Sequence, residues 1–325
     1  MNFTKTVMAL AFAAVMTAAV RAGDPRPVRL IFDTDMMGDV DDVGAAALLH
    51  ALADAKEVEI LAMGLSGKNP WSPLCLDALN TYFRRPDVPI GVVKGPACDR
   101  KSRYAEAIAR EFPHKLKSAD DAPDAAALYR KVLAEQPDKS VVMVSVGQVT
   151  NFRNLLKTGP DEYSSLAGVD LVKRKVKAWV CMGGKIPEGR EANLIHDGPA
   201  AAYAIANWPT PIVFSGWEIG NQIMTGAKLR NTPEKTPVRR AYQLYNGLRN
   251  RQSWDQTAVL YAVRGLDDYW DVVAKGHLHV NEDGSNAWRT SPDKNHAYLV
   301  RKKDPKKIAA VIEELMLRRP SRGAE

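Results

Sequence analysis

The chain has 325 residues, 46% of them hydrophobic and 26% charged, with a formal net charge of +7. That length supports one large or two modest domains around a substantial core. The basic residues are dispersed apart from Lys173-Arg174-Lys175 and Arg301-Lys302-Lys303, short solvated runs rather than the concentrated stripe that binds a nucleic-acid polymer.

Lys5, the apolar stretch 6–20 and the small residues of Val20-Arg21-Ala22 read together as a secretion signal. The stretch is shorter than the ~20 residues that span a bilayer, which favours cleavage over anchoring. The expected mature chain is 23–325, exported to a periplasm or secreted, with no membrane association after cleavage. Apolar, β-branched runs then recur at 29–35, 58–65, 89–93, 141–146, 176–182 and 211–215. Helical patterns lie between most of them, at 43–53, 73–83, 104–112, 125–135, 151–156 and 199–207. Continuous apolar strands alternating with helices predict an α/β fold, a mostly parallel open sheet with helices on both faces. After Trp217 the pattern changes to helices at 219–226, 238–249 and 254–263, then short strands at 269–273 and 277–280. A turn at Asn281-Glu282-Asp283-Gly284 follows, then a strand at 296–300 and a last helix capped by Asp304. With no repeat and no low-complexity linker, this helical and short-strand C-terminal portion is expected to pack on the main sheet as part of a single domain. The three cysteines, Cys75, Cys98 and Cys181, have no zinc-site spacing with the histidines. An exported chain can pair two of them and leaves one free; Cys181 reads as core.

The segment richest in chemistry is Asp33-Thr34-Asp35-Met36-Met37-Gly38-Asp39-Val40-Asp41-Asp42, with five carboxylates in ten residues. It lies where a buried strand ends and a helix begins. Carboxylates this close repel one another unless a cation or a ribose-like ligand compensates. Hard oxygen donors suit Ca²⁺ or Mg²⁺, and open α/β sheets bind ligands at the carboxyl ends of their strands. Asp33 and Asp39 read as turn or capping residues. Met36 and Met37 are soft side chains that line a pocket without competing for a hard cation. His114 and His196 are isolated and read as solvated; Asp197, before Gly198-Pro199, reads as a helix cap.

This opening resembles that of the inosine-uridine-preferring nucleoside hydrolases: Asp33-Thr34-Asp35, a glycine, then Asp41-Asp42 before an Ala-rich helix. Four further segments match in order. They are Val144-Ser145-Val146-Gly147-Gln148-Val149-Thr150-Asn151, then Met182-Gly183-Gly184, then Glu191-Ala192-Asn193 with Asp197-Gly198-Pro199, then Trp254-Asp255 with Ala258. The resemblance implies a Ca²⁺ site made by Asp35, Asp42, Asp255 and the Val146 carbonyl. It implies that Asp35 also takes a proton from the attacking water, that Asp41 accepts hydrogen bonds from ribose hydroxyls, and that Glu191 and Asn193 hold the sugar from the other side. The reaction would be hydrolysis of an N-glycosidic bond in a small ribosyl compound, through an oxocarbenium-like sugar. A homo-oligomer is left open.

Departures from the family pattern bear on the substrate. Many members carry His before the last metal Asp; here it is Trp254, whose indole cannot deliver a proton at neutral pH. Trp254 either stacks on the base or only fills a wall. Leu65 stands where the family has a ribose-binding Asn, with Ser66 and Asn69 as nearby substitutes, and the Asn expected within Lys185-Ile186-Pro187-Glu188-Gly189-Arg190 is absent. These gaps motivate an alternative, a non-catalytic Ca²⁺-dependent ribosyl-binding protein. A haloacid-dehalogenase-type phosphatase shares the Asp33-Thr34-Asp35 opening, but Met37 departs from its pattern and Asp41-Asp42 has no place in it.

Overall fold

The computed structural model describes residues 26–291 and 295–320; the segment read as a secretion signal, 1–22, lies outside them. Strand β1 (Val28–Thr34) leads into α1 (Asp41–Asp54), β2 (Val58–Leu65), α2 (Ser72–Tyr82), β3 (Ile90–Val92), α3 (Ala105–Glu111) and α4 (Ala125–Glu135). Then come β4 (Val141–Ser145), α5 (Thr150–Leu156), α6 (Gly168–Lys175) and β5 (Val176–Met182). A short strand β6 (Glu188–Arg190), α7 (Ala192–Ile195) and α8 (Gly198–Asn207) precede β7 (Ile212–Ser215). The rest carries α9 (Trp217–Gly220), β8 (Met224–Thr225), α10 (Pro237–Asn246), β9 (Arg251–Gln252) and α11 (Trp254–Arg264). It ends with β10 (Trp270–Val280), β11 (Ser285–Arg289), β12 (His296–Arg301) and α12 (Pro305–Met316).

The main sheet has the order β3-β2-β1-β4-β5-β7-β12-β10-β11-β6. From β3 through β12 every neighbouring pair is parallel; β10, β11 and β6 then add antiparallel. The mostly parallel open sheet expected from the sequence is thus present. Its central strands are buried on both faces, because their side chains alternate between two cores. Leu30, Phe32, Val142, Val144 and Val180 pack on one side, and Ile31, Val141, Met143 and Trp179 on the other. That is why these strands read as continuous apolar runs rather than as alternating ones. Because β1 pairs with both β2 and β4, the strand order reverses there, leaving a crevice at the carboxyl end of β1.

The C-terminal portion departs in detail. The helix expected over 219–226 is only the single turn α9, after which Met224 and Thr225 pair with Gln252 and Arg251. The two strands expected over 269–280 are one, β10, with a register shift between Val273 and Gly276. At Gly276 an added Cβ would lie 2.5 Å from the Arg289 carbonyl oxygen, so this break in the apolar pattern is a close approach of two strands rather than an end. Strands β6 and β11 went unseen because they are short and mostly polar.

Candidate active site

The acidic run is the connection from β1 to α1. Asp33 is fully buried, and its carboxylate accepts hydrogen bonds from the Tyr129 hydroxyl and, at 2.8 Å, from Asn151 Nδ2. Gly64 opposite it on β2 leaves the room, since a Cβ there would meet both Tyr129 and Asp33. Burial pushes the Asp33 pKa up to about 7. Its expected turn or capping role is therefore incorrect; it is an internal anchor. Asp39 does serve the turn, accepting from Val40 N–H at 2.8 Å, but it also holds Arg251, whose Nε donates to both its oxygens at 2.9 and 3.0 Å. Met36 and Met37 are completely buried and do not line the pocket as expected. Met36 adopts a left-handed conformation (φ 51°), uncommon for a non-glycine residue. It is held there by its N–H, which donates to Asp42 at 3.2 Å, and by its carbonyl, which accepts from Ser72 Oγ at 3.0 Å.

A cavity of about 420 Å³ opens at this crevice. Asp35, Asp41, Asp42, Val146, Glu191, Asn193, Trp254 and Asp255 all line it, although they span more than two hundred residues of sequence. The tightest grouping on its floor is Asp41, Asp42 and Asp255, each with one oxygen within 4.8 Å of the others. The resemblance had grouped Asp35, rather than Asp41, with Asp42 and Asp255. Asp42 is fixed by the Thr34 hydroxyl and by the N–H groups of Asp35 and Met36. Asp41 accepts from Asp255 N–H at 3.3 Å, and among the described residues nothing donates to the Asp255 carboxylate. Burial first, and then their neighbouring carboxylates, hold the pKa of all three well above the usual range. Asp35 sits at their edge. Its oxygens accept from Met37 N–H at 2.9 Å and from Gln148 Nε2 at 2.7 Å, and burial raises its pKa too. Closely grouped carboxylates that disfavour one another's charge, all offering oxygen, fit a hard divalent cation.

Across the floor, Glu191 caps α7. It accepts from the N–H groups of Asn193 at 2.9 Å and Gly184 at 3.1 Å, and burial pushes its pKa up to about 7. Asn193 donates from Nδ2 to the carbonyls of Val146 at 3.0 Å and Met182 at 3.2 Å. Both side chains are buried, not exposed loop residues. A carbonyl oxygen carries two lone pairs, so the Val146 oxygen retains one beyond its bond to Asn193.

One wall is aromatic. Trp254 Nε1 donates to the Trp217 carbonyl at 2.9 Å, and the Arg251 guanidinium lies 5.0 Å from the Trp254 ring and 5.8 Å from that of Tyr245. The rim carries Arg100, Arg190 and His196. Neither Ser66 nor Asn69 reaches the cavity; Asn69 is spent on Arg100 O and Trp71 N–H, both at 3.0 Å. Sequence reasoning missed Gln148, Arg100, His196, Trp217, Tyr245 and Arg251 as site residues. Gln148, inside a matched segment, Arg251, three residues before Trp254, and His196, next to the matched Asp197, stood near a visible signal; His196, read as solvated, is half-buried and bonded to Arg100.

No curated protein sequence matches the chain. Among solved structures it is similar to an inosine-guanosine nucleoside hydrolase, with a TM-score of 0.68 and 19% identity over 90% of this chain and 99% of that one. An inosine-uridine preferring nucleoside hydrolase from Bacillus anthracis gives 0.67 and 14% identity over 89% and 98%. A purine-preferring ribonucleoside hydrolase from Gardnerella vaginalis gives 0.66 and 20% identity over 89% and 98%. At such identities the likeness shows the fold. The model of the inosine-uridine preferring nucleoside hydrolases matches residues 30–315, and the chain belongs to that family.

Proposed function

We propose that this chain is a Ca²⁺-dependent N-glycosidic hydrolase of ribosyl compounds. Membership of the family supports hydrolysis of this bond in general. The single observation that carries the finer reading is the buried trio Asp41, Asp42 and Asp255, with Asp35 beside it and Glu191 and Asn193 across the cavity. Asp35, Asp42, Asp255 and the Val146 carbonyl would hold the ion. When bound, Ca²⁺ supplies positive charge that lowers the pKa of water at that spot. Asp35 takes the proton of the attacking water, with Gln148 and Met37 N–H fixing its two oxygens. Asp41 accepts hydrogen bonds from the ribose hydroxyls, and Glu191 and Asn193 grip the sugar from the opposite side. Trp254 offers the departing base a ring face. Its N–H is committed to Trp217, so the leaving group receives stacking rather than a proton from it. Export, on the strength of the apolar stretch 6–20, would place this activity outside the cytoplasm.

The test is reducing-sugar release from a panel of ribonucleosides and their 2′-deoxy analogues, with Ca²⁺ or with chelator. Release from the ribosides that needs Ca²⁺ is expected. A site built to bond a hydroxyl can reject the analogue lacking it by ~10⁴, so the deoxy compounds should trail by orders of magnitude. Equal kcat/KM for both sugars contradicts the hydroxyl contacts, and binding without any release favours the non-catalytic alternative.

A further inference from the structure

Arg100 is an exposed guanidinium on the cavity rim, close enough to Asp35 for its charge to favour the ionised carboxylate but not paired with it. Arg100 Nη1 donates to His196 Nε2 at 3.0 Å. Arg is always charged and only donates, so His196 accepts at Nε2 and carries its own proton on Nδ1. His196 directly follows α7, which Glu191 caps and which carries Asn193. The Arg100 guanidinium also lies over Gly38, 3.5 Å from where a Cβ would stand. Its backbone is anchored as well: Asn69 Nδ2 donates to Arg100 O at 3.0 Å, and Lys68 N–H donates to Cys98 O at 2.8 Å. The other rim guanidiniums are committed to carboxylates, Arg190 to Asp283 and Arg251 to Asp39. Among the described residues no carboxylate lies within ion-pair distance of Arg100.

We propose that Arg100 and His196 form an anion subsite for a phosphate on the ribose, and that the preferred substrate is a 5′-phosphorylated ribosyl compound such as a nucleoside 5′-monophosphate. This rests on the hydrolase reading above and narrows its substrate. With Asp41 accepting from the ring hydroxyls, as the hydrolase reading has it, the side gripped by Glu191 and Asn193 would be that of C5′, and a phosphate there would fall towards Arg100 and His196 on the cavity rim. Planar guanidinium matches phosphate geometry, and His196 Nδ1–H adds a second donor. The chemistry is unchanged by the phosphate. The water oxygen bonds to C1′, the N-glycosidic bond breaks with its electron pair leaving on the base, which takes up a proton, and ribose 5-phosphate departs.

Calorimetry with ribose 5-phosphate, ribose and inorganic phosphate, on the Ca²⁺-loaded full chain and on Arg100→Gln, reads the subsite without turnover. Ribose 5-phosphate is expected to bind wild type roughly ten- to a hundred-fold more tightly than ribose, the scale of one or two charge-assisted hydrogen bonds. Arg100→Gln should remove at least tenfold of that difference, and Arg100→Lys, which keeps the charge without the fork, should fall between. In turnover, the kcat/KM ratio of nucleoside 5′-monophosphate over nucleoside should drop by a similar factor in Arg100→Gln. The proposal is overturned if ribose 5-phosphate binds no better than ribose, or if inorganic phosphate binds as well as ribose 5-phosphate. It is equally overturned if Arg100→Gln weakens both sugars alike, which would make Arg100 only a counter-charge for Asp35. Absence of release from every substrate, with the binding difference intact, sinks the hydrolase reading and leaves the subsite standing.

Discussion

At the residue scale, the acidic run was the most legible part of the site, because its carboxylates are contiguous in sequence and their repulsion needs a reason. What the sequence did not show was how differently five similar aspartates are used. Asp33 is sealed between Tyr129 and Asn151, Asp39 lines the cavity but is tied to Arg251, and Asp35, Asp41 and Asp42 line it together with Asp255. Their partners decide among them, and those of Asp33 and Asp39 lie 96 to 212 positions away. Trp254 is the sharpest case. Its exchange for the family's His was visible, but the bond that commits its N–H to Trp217 O was not. If the ring stacks on the departing base, Trp254→Ala should slow natural nucleosides selectively and spare a nitrophenyl riboside, whose leaving group needs no help. Stacking of a base on an aromatic is worth ~1–3 kcal/mol, so a loss of roughly ten- to a hundred-fold in kcat/KM is expected on nucleosides. An equal loss on both substrates, measured side by side, would reduce Trp254 to a wall.

At the element scale, the central strands and their helices followed from apolar periodicity, since two-sided burial leaves an unmistakable run. The cavity depends on connections, where periodicity is silent. The β4–α5 connection illustrates this. Its Val146 lines the cavity, with the carbonyl bonded to Asn193, and Gly147 next to it packs against the connection after β1. A Cβ on Gly147 would lie 2.8 Å from Asp35 N and 2.9 Å from Asp35 Cβ. Both are closer than real contacts allow, and neither belongs to a flexible tip that can swing away. Gly147→Ala should therefore displace Asp35. Overpacking of this kind costs ~1–3 kcal/mol, which denaturant unfolding will read, and sugar release should fall further than that stability loss explains. A variant with wild-type turnover would mean that the two connections move independently. Arg100 is illegible for the same reason. It lies in a loop with no pattern and meets the site only through His196, which follows α7.

At the scale of the whole molecule, the buried carboxylates set a pH dependence. Asp33 and Glu191, each with a folded pKa of about 7, and Asp35, Asp41, Asp42 and Asp255, raised in the same direction, keep protons that the unfolded chain releases near 3.8 to 4.5. By linkage, their contribution is fully present below those unfolded values and is lost as pH rises through the folded ones, which for Asp33 and Glu191 lie at about 7. A tenfold difference in proton affinity between the folded and unfolded chain is worth ~1.4 kcal/mol, so Glu191 alone carries a cost of about 3 kcal/mol at neutral pH when nothing offsets it. Salt-bridged groups act oppositely and lower down. Asp161, bonded to Arg130 and held at about 2, loses its contribution only as pH falls through that value. A divalent cation bound by the floor would reverse the neutral-pH loss, because it favours the charged carboxylates. Thermal unfolding of the metal-stripped protein from pH 4 to 8, with and without Ca²⁺, tests this directly, with Asp42→Ala as the control. Tm is expected to fall with rising pH in chelator, to be restored by Ca²⁺ with the largest gain at pH 8, and to show little response to Ca²⁺ in Asp42→Ala. A wild-type Tm at pH 8 that ignores Ca²⁺, or an Asp42→Ala variant that responds as wild type does, would contradict the claim that these carboxylates are gathered around a cation.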